Sequence, residues 1–281
     1  MLKGKELISV ISLISSIILT CIKGLAYFVT GSLSLLTETF DSFLDIISVS
    51  MSLYAIRISQ RPPDKDHPYG HGKFESLVAY TEVIFIAIVA GYIVYELIMR
   101  IIIGYTLTSP ELGILYIIFT IIVDIFLSII NLHGAKKYDS LALRANYLNY
   151  LGDVVRSIVV VIALFSALHG YIIGDIIVTL FLISYLGKEA FEIFRESAKV
   201  LLDEAPMKTV SIIEKITLSI PGVIRVKRIR ARYLGNGYFI DITVKVKEDL
   251  KIDEAHDIAD EIENKIKEKI PNSDIIVHIE P

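Results

Sequence analysis

The stretch TETFDSFLDIISVS, residues 37–50, places Glu38, Asp41 and Asp45 in a run otherwise apolar enough to cross a lipid bilayer. Asp41 and Asp45 are four residues apart, so on a helix they project from the same face and can both reach one ion. A later apolar run, 143–168, repeats that spacing with Asn149 and Asp153. On insertion scales an aspartate at mid-helix costs about 2.5–3.5 kcal/mol, so Asp41, Asp45 and Asp153 together ask for roughly 8–10 kcal/mol of compensation. A divalent cation would supply it, held by two carboxylates from one helix and by a carboxylate and an amide oxygen from the other. The competing reading is that each carboxylate pairs with a base or stays protonated. Lys23 and Arg156 are too few to serve Asp41, Asp45, Asp124 and Asp153 together.

The rest of the chain places these segments in a membrane. Its 281 residues are 53% hydrophobic, with a mean hydropathy of +0.60, too apolar for an ordinary soluble enzyme. The net charge of −4 averages a very apolar first two-thirds with a charge-dense last third. A single cysteine, Cys21, excludes an intrachain disulfide and a cysteine-based zinc knuckle. The first apolar run continues to about Val29 without a small-residue cleavage site, which reads as a retained span. About 20 apolar residues cross a bilayer core, and six stretches qualify: 7–29, 33–58, 77–103, 111–133, 143–168 and 171–194. Six spans put both termini on one side. Lys3, Lys5, Arg57, Arg61, Lys65, Lys73, Lys136, Lys137 and Arg144 flank one set of ends, with Arg100 the main base near the other. Both termini are therefore expected in the cytoplasm, in a multi-pass protein of the cell membrane. The segments TGS (30–32), GYTLTSP (104–110) and HGY (169–171) read as short outer turns.

After DEAP, 203–206, runs of spanning length stop and the pattern becomes that of a soluble domain. The expected division is a transport domain over 1–203 and a cytoplasmic domain over 204–281. Residues 208–219 read as a helix, GVIRVKRIRARYL and YFIDITVKV as strands around the turn GNG (235–237), 252–269 as an amphipathic helix and SDIIVHIE as a last strand. The fold class is thus an α-helical membrane protein with six transmembrane helices plus a small α+β module in the order αββαβ, ferredoxin-like. A module of under 80 residues is marginal alone, and dimerisation would help it. Arg225, Lys227, Arg228, Arg230 and Arg232 form a basic run that alternates from residue 228 with Ile229, Ala231 and Tyr233, as a strand with one wet face requires. Contact with anionic lipid is the second reading of that run. Neither an RNA-binding sheet nor a helix-turn-helix pattern is present, so no nucleic-acid partner is expected.

The DxxxD of the second span, RISQRPPDKDHPYGHGKFES at 57–76 and LRANYLNYLGDVV at 143–155 together resemble the cation diffusion facilitators over nearly the whole chain. The resemblance implies a homodimeric exporter that moves a divalent transition metal out of the cytoplasm in exchange for protons, by alternating access. It implies Asp41, Asp45, Asn149 and Asp153 as the transport-site positions and Asp64, His67 and His71 as a second metal site. Lys73 and Asp203 match an interlocking charge pair at the dimer interface. His256, His278 and Glu280 are what remains of a third, weak site, two of whose ligand positions are here Lys227 and Thr243. A lysine ammonium cannot ligate a cation.

One position departs from the pattern. The family commonly has HxxxD in the fifth span, and Asn149 stands where the histidine would be. Imidazole suits zinc, whereas an all-oxygen set suits harder ions, so Mn²⁺ or Fe²⁺ is favoured, with Zn²⁺ close behind because intrinsic affinity runs its way. The transported ion is the expected ligand, with no further cofactor. By themselves the loop histidines beside glycine and proline read as merely polar, although His67 and His71 could chelate if the segment turned helically. Asp124 matches no ligand position and is either paired inside the bundle or part of a proton relay. Glu96 and Arg100 read as an i, i+4 pair, and Glu82 has no assigned role. An intramembrane metalloprotease would need HExxH, which no span contains, so an enzyme is not expected. A non-transporting metal sensor or assembly factor on the same fold is the alternative, and an eroded third site speaks against it.

Overall fold

The computed structural model describes residues 4–138, 140–235 and 237–281; Lys3 and the Asn236 of the GNG turn lie outside them. The chain runs α1 (Gly4–Thr30), α2 (Leu33–Ser59), α3 (Phe74–Ile103), α4 (Pro110–Tyr138), α5 (Leu141–Leu168) and α6 (Ile173–Leu201). It continues as α7 (Met207–Leu218), β1 (Arg225–Tyr233), β2 (Tyr238–Lys245), α8 (Ile252–Lys269) and β3 (Ser273–Glu280), the expected αββαβ order. Gly31, Gly104 and Gly170, at the three turns expected on the outer side, have φ values of 68°, 80° and 81°, conformations that glycine alone adopts without strain.

Five helices, α1 to α5, are long and apolar enough to cross a membrane by length and composition. The sixth matches them in length, at 29 residues, but Asp175 at its start and Lys188, Glu189 and Glu192 beyond confine its uninterrupted apolar stretch to 176–187. Large apolar side chains such as Phe28, Ile102, Leu115 and Ile162 stand exposed on these helices. So extensive an apolar surface suits lipid and not water.

By packing, the chain divides into two compact units. The first comprises residues up to Ser50 together with Glu82–Glu192. Its core joins Ala26, Leu35, Ile117, Val160, Ala163, Leu164 and Leu182, contributed by α1, α2, α4, α5 and α6. Helices approach closely where α4 has no side chain: a Cβ on Gly113 would come within 2.6 Å of Thr30 Cγ2, and one on Gly134 within 2.8 Å of Ile8 Cδ1. Small residues at crossings are how helices pack in lipid. The start of α2 is held by a carboxylate from α6. Asp175, fully buried, accepts the backbone N–H groups of Leu33 and Ser34 at 2.9 and 3.2 Å, the hydroxyls of Ser32 and Ser34 at 2.5 Å each, and that of Tyr105 at 3.0 Å. A helix N-terminus has unpaired N–H groups and the positive end of a dipole, so an anion there is stabilising. It also fixes the phase of α2, and hence the face on which Asp41 and Asp45 stand.

The second unit comprises Met51–Thr81 and Ile193–Pro281. This grouping departs from a simple division at residue 203, because Tyr69, Lys73 and Tyr80 find partners at Phe239, Asp203 and Phe194. Its sheet has the order β1-β2-β3, with β1 and β2 antiparallel and β2 and β3 parallel. Ile213, Ala231, Ile240, Ile242, Val244, Ile262, Ile266 and Ile275 form the core between sheet and helices. The register of β1 slips between Val226 and Arg228, leaving Lys227 as the bulged residue. That bulge is why the basic run changes phase at residue 228. Arg228 and Arg230 are exposed opposite Ile229 and Ala231, as the alternation predicts, but at the strand's end Arg232 is half-buried and Tyr233 exposed.

Candidate metal centre

Within the first unit, Asp41 and Asp45 lie one turn apart on α2, and Asp153 lies on α5. Each presents a carboxylate oxygen, and the three oxygens all lie within 4.8 Å of one another. Asp41 and Asp153 are 6% and 9% exposed, and Asp45 is half-buried. Two helices thus converge three carboxyl groups where solvent contributes little screening. Asn149 stands one turn before Asp153 on α5, with an exposed side chain.

A base is already present among them. Arg156 Nη2 donates a hydrogen bond to Asp153 Oδ1 at 2.5 Å and lies 2.8 Å from Asp41 Oδ2, an ion pair off the direction of a hydrogen bond. One guanidinium therefore serves two of the carboxylates, a sharing that counting bases against acids does not reveal. Asp45 has no base within ion-pair distance among the described residues. Lys23, on α1, is occupied elsewhere: it donates to Glu38 Oε1 and to Ser42 Oγ, each at 2.9 Å, and Ser157 Oγ donates to Glu38 at 3.2 Å. Lys23 and Glu38 are almost wholly buried.

Asp124, on α4 and 1% exposed, has an Oδ2 that no hydrogen bond satisfies. It lines a cavity of about 30 Å³ together with Asp45, Asp153, Lys23, Ser42 and Tyr150. That is room enough for a water molecule. The sequence left Asp124 between internal pairing and a relay role. The structure puts it beside the three-carboxylate cluster with no ion-pair partner among the described residues. Glu96 and Arg100 form the expected pair, at 3.4 Å, and Glu82 is half-buried.

In the second unit, Asp64, His67 and His71 also bring ligand atoms within 4.8 Å of one another. His67 Nδ1 is 3.3 Å and His71 Nε2 3.5 Å from the Asp64 carboxylate, and the two rings are 4.4 Å apart. The segment does not turn helically to do this. It folds through a turn at Pro68 and Tyr69 with Gly70 at φ 79°. Asp64 Oδ1 accepts the backbone N–H of His67 at 2.7 Å and that of Asp66 at 3.0 Å. Those bonds, the one from the His67 backbone foremost, hold the carboxyl below the usual carboxylate range, ready to ligate. His71 Nδ1 is buried without a partner.

Lys73 donates to Asp203 at 2.6 Å within a single chain, and Arg232 donates to the other carboxylate oxygen at 3.2 Å. The third expected group does not assemble among the described residues. His256 faces Asp260 at 3.7 Å from the exposed side of α8. His278 and Glu280 lie 3.6 Å apart on β3, but Glu280 accepts a hydrogen bond from Lys227, the ammonium that takes a ligand's place. Within one chain the helix and the strand each give these groups a neighbour of their own. Reading the sequence missed Asp175 and gave Arg156 no specific partners. A lone carboxylate at the head of an apolar run was the available signal for Asp175.

A family model described as "Cation efflux transmembrane domain" matches residues 9–202, and one described as "Cation efflux protein, cytoplasmic domain" matches residues 205–281. The chain is 33% identical over 264 residues to a "Cation-efflux pump FieF" of Salmonella paratyphi A, covering 94% of this chain and 88% of that protein. It is 32% identical over 265 residues to the protein of the same description from Citrobacter koseri, with the same coverages of 94% and 88%. Among solved structures, one titled "MamM-CTD 215-293" is similar at 25% identity, with a TM-score of 0.26, covering 26% of this chain and 95% of that one.

Proposed function

The chain belongs to the cation efflux family, whose members are membrane transporters and not enzymes, and on that premise we propose that it is a proton-coupled antiporter exporting Mn²⁺ or Fe²⁺, with Zn²⁺ the nearest competitor. Movement of metal cations across a membrane by a multi-pass protein follows from the family itself. The choice of ion and its coupling rest on the site.

The observation that carries the reading is the convergence of Asp41, Asp45 and Asp153 from two apolar helices. Asn149, one turn from Asp153, is the fourth ligand. Four oxygens favour a hard cation, and no imidazole is present to tilt the site toward zinc. A carboxylate must be ionised to ligate, so a cation and protons exclude each other at these side chains. That exclusion is the exchange: a cation leaves the carboxylates as protons arrive, and protons leave as the next cation binds. Asp64, His67 and His71 hold a second cation in the loop between α2 and α3, where nitrogen ligands admit zinc as readily as iron. Two copies associate, with the termini and the small α+β module in the cytoplasm; the basic residues at the ends of α2 and α4 and in the loop after α2, Arg57, Arg61, Lys65, Lys136 and Lys137, support that side.

The test is uptake of Mn²⁺, Fe²⁺ and Zn²⁺ into proteoliposomes carrying an imposed pH gradient. Uptake of Mn²⁺ or Fe²⁺ that disappears when a proton ionophore collapses the gradient is expected. Faster movement of Zn²⁺ than of the other two would contradict the metal assignment, and indifference to the gradient would contradict proton coupling.

A further inference from the structure

We propose that Arg156 is a resident counter-cation of the transport site, competing with the transported metal for Asp41 and Asp153 and thereby setting how tightly the site holds its cargo. The inference rests on the reading of Asp41, Asp45 and Asp153 as that site. Arg156 is on α5, three residues after Asp153, and the same nitrogen, Nη2, meets both carboxylates, at 2.5 and 2.8 Å. The cation and the guanidinium therefore want the same oxygens. Arginine never loses its charge in a protein, so it acts as a fixed positive group and not as a proton carrier.

Its attachment is of the exchangeable kind. The strong arginine clamp is a fork in which two nitrogens meet two oxygens of one carboxylate. Here one nitrogen is divided between two carboxylates, and the Nε is buried with no hydrogen-bond partner. The guanidinium carbon lies 5.6 Å from the ring centre of Tyr185 on α6. An aromatic face at that distance attracts a guanidinium and offers it a seat when a metal takes the carboxylates. Charge balance points the same way. Glu38, Asp41, Asp45, Asp124 and Asp153 face Lys23 and Arg156, and Lys23 is committed to Glu38. Arg156 is thus the base that keeps the cluster from holding a divalent ion too tightly to release.

The experiment measures Mn²⁺ affinity of the purified full chain by calorimetry for Arg156→Met, Arg156→Lys and Asp45→Ala. Arg156→Met removes the competitor but keeps an apolar stem, and a gain in affinity of about tenfold or more is expected, within the range of ordinary site-to-site coupling. Mn²⁺ release from proteoliposome-embedded protein should slow in step. Arg156→Lys keeps the charge, so its affinity should stay nearer the parent's. Melting curves of each variant show whether it is folded, and Arg156→Lys remains informative where Arg156→Met is not. A merely structural arginine would give the opposite sign: weaker binding in Arg156→Met. Weaker or unchanged binding there, or equal gains in both arginine variants, would overturn the proposal. Asp45 does not touch Arg156 and lies apart from the loop cluster of Asp64, His67 and His71, so its variant separates the two readings: an undiminished number of Mn²⁺ bound per chain in Asp45→Ala sinks the site itself, whereas loss of one Mn²⁺ per chain there beside an unmoved Arg156→Met sinks the competition alone.

Discussion

Asn149 carries an amide oxygen at a position where an imidazole would bring a softer nitrogen and a titratable proton. Replacing it with histidine tests the preference for oxygen ligands directly. Zinc affinity of Asn149→His should rise relative to manganese. The pH dependence of zinc binding should steepen between about pH 6 and 7, where an imidazole near its ordinary pKa releases its proton on ligation. Calorimetry in buffers of different ionisation enthalpy counts protons released per metal; an unchanged count and an unchanged ranking would remove Asn149 from the ligand set. Asp41, Asp45 and Asp153 were legible in the sequence because a carboxylate in an apolar run is anomalous by itself. The partners of Arg156 were not, since sharing one nitrogen between α2 and α5 depends on how the two helices pack. Asp175 was equally hidden: the groups it caps are 141 or more residues away in sequence.

The loop from Asp64 to Lys73 owes its shape to what it rests on. Tyr69 stacks edge-on against Phe239 at 5.0 Å, the Arg232 guanidinium covers the Tyr69 ring at 4.9 Å, and Lys73 reaches Asp203. Gly235 has φ 88°, and a Cβ there would collide with the backbone carbonyl of Gly72. Gly235→Ala is therefore expected to destabilise the second unit by about 1–3 kcal/mol through backbone strain alone and to weaken cation binding at Asp64, His67 and His71. An unchanged melting temperature would contradict the close approach. Charge reversal of Lys73 or Asp203 alone should impair transport, and the double reversal should recover part of it; strictly additive losses would mean that the two do not interact. Acid offers a second check. Partial burial pushes the Asp203 carboxyl up, but hydrogen bonds and charges from Lys73 and Arg232 outweigh it and leave the group below its usual range. A lowered folded value means that the stabilisation is complete above the unfolded pKa, about 4, and is lost as pH falls through the folded one. Melting of the parent should therefore fall more steeply than that of Asp203→Asn below about pH 4, and parallel curves would refute the linkage. Alternation and turn residues made the αββαβ order readable. The bulge at Lys227 was visible only as an unexplained change of phase, because bulges answer to pairing between strands.

On the scale of the molecule, six apolar stretches and a small α+β module were readable from hydropathy, since each period reports its own environment; the charges that shorten the apolar stretch of the sixth helix set it apart from the five long and apolar enough to span. Which segments pack together was not: residues 51–81 join the second unit through side-chain partners far along the chain. Within one chain His256 on α8 and His278 on β3 each stand beside a carboxylate of their own element, at 3.7 and 3.6 Å. The proposed export of a cation stands on the convergence of Asp41, Asp45 and Asp153. Asp45 tests it most cleanly, because it has no ion pair among the described residues and its removal breaks none. The measurement is Mn²⁺ uptake by Asp45→Ala in proteoliposomes under a pH gradient, with melting followed in parallel. The predicted result is uptake at the level of empty liposomes from a protein that still melts cooperatively; uptake near that of the parent would contradict the assignment of these three carboxylates to the transported ion.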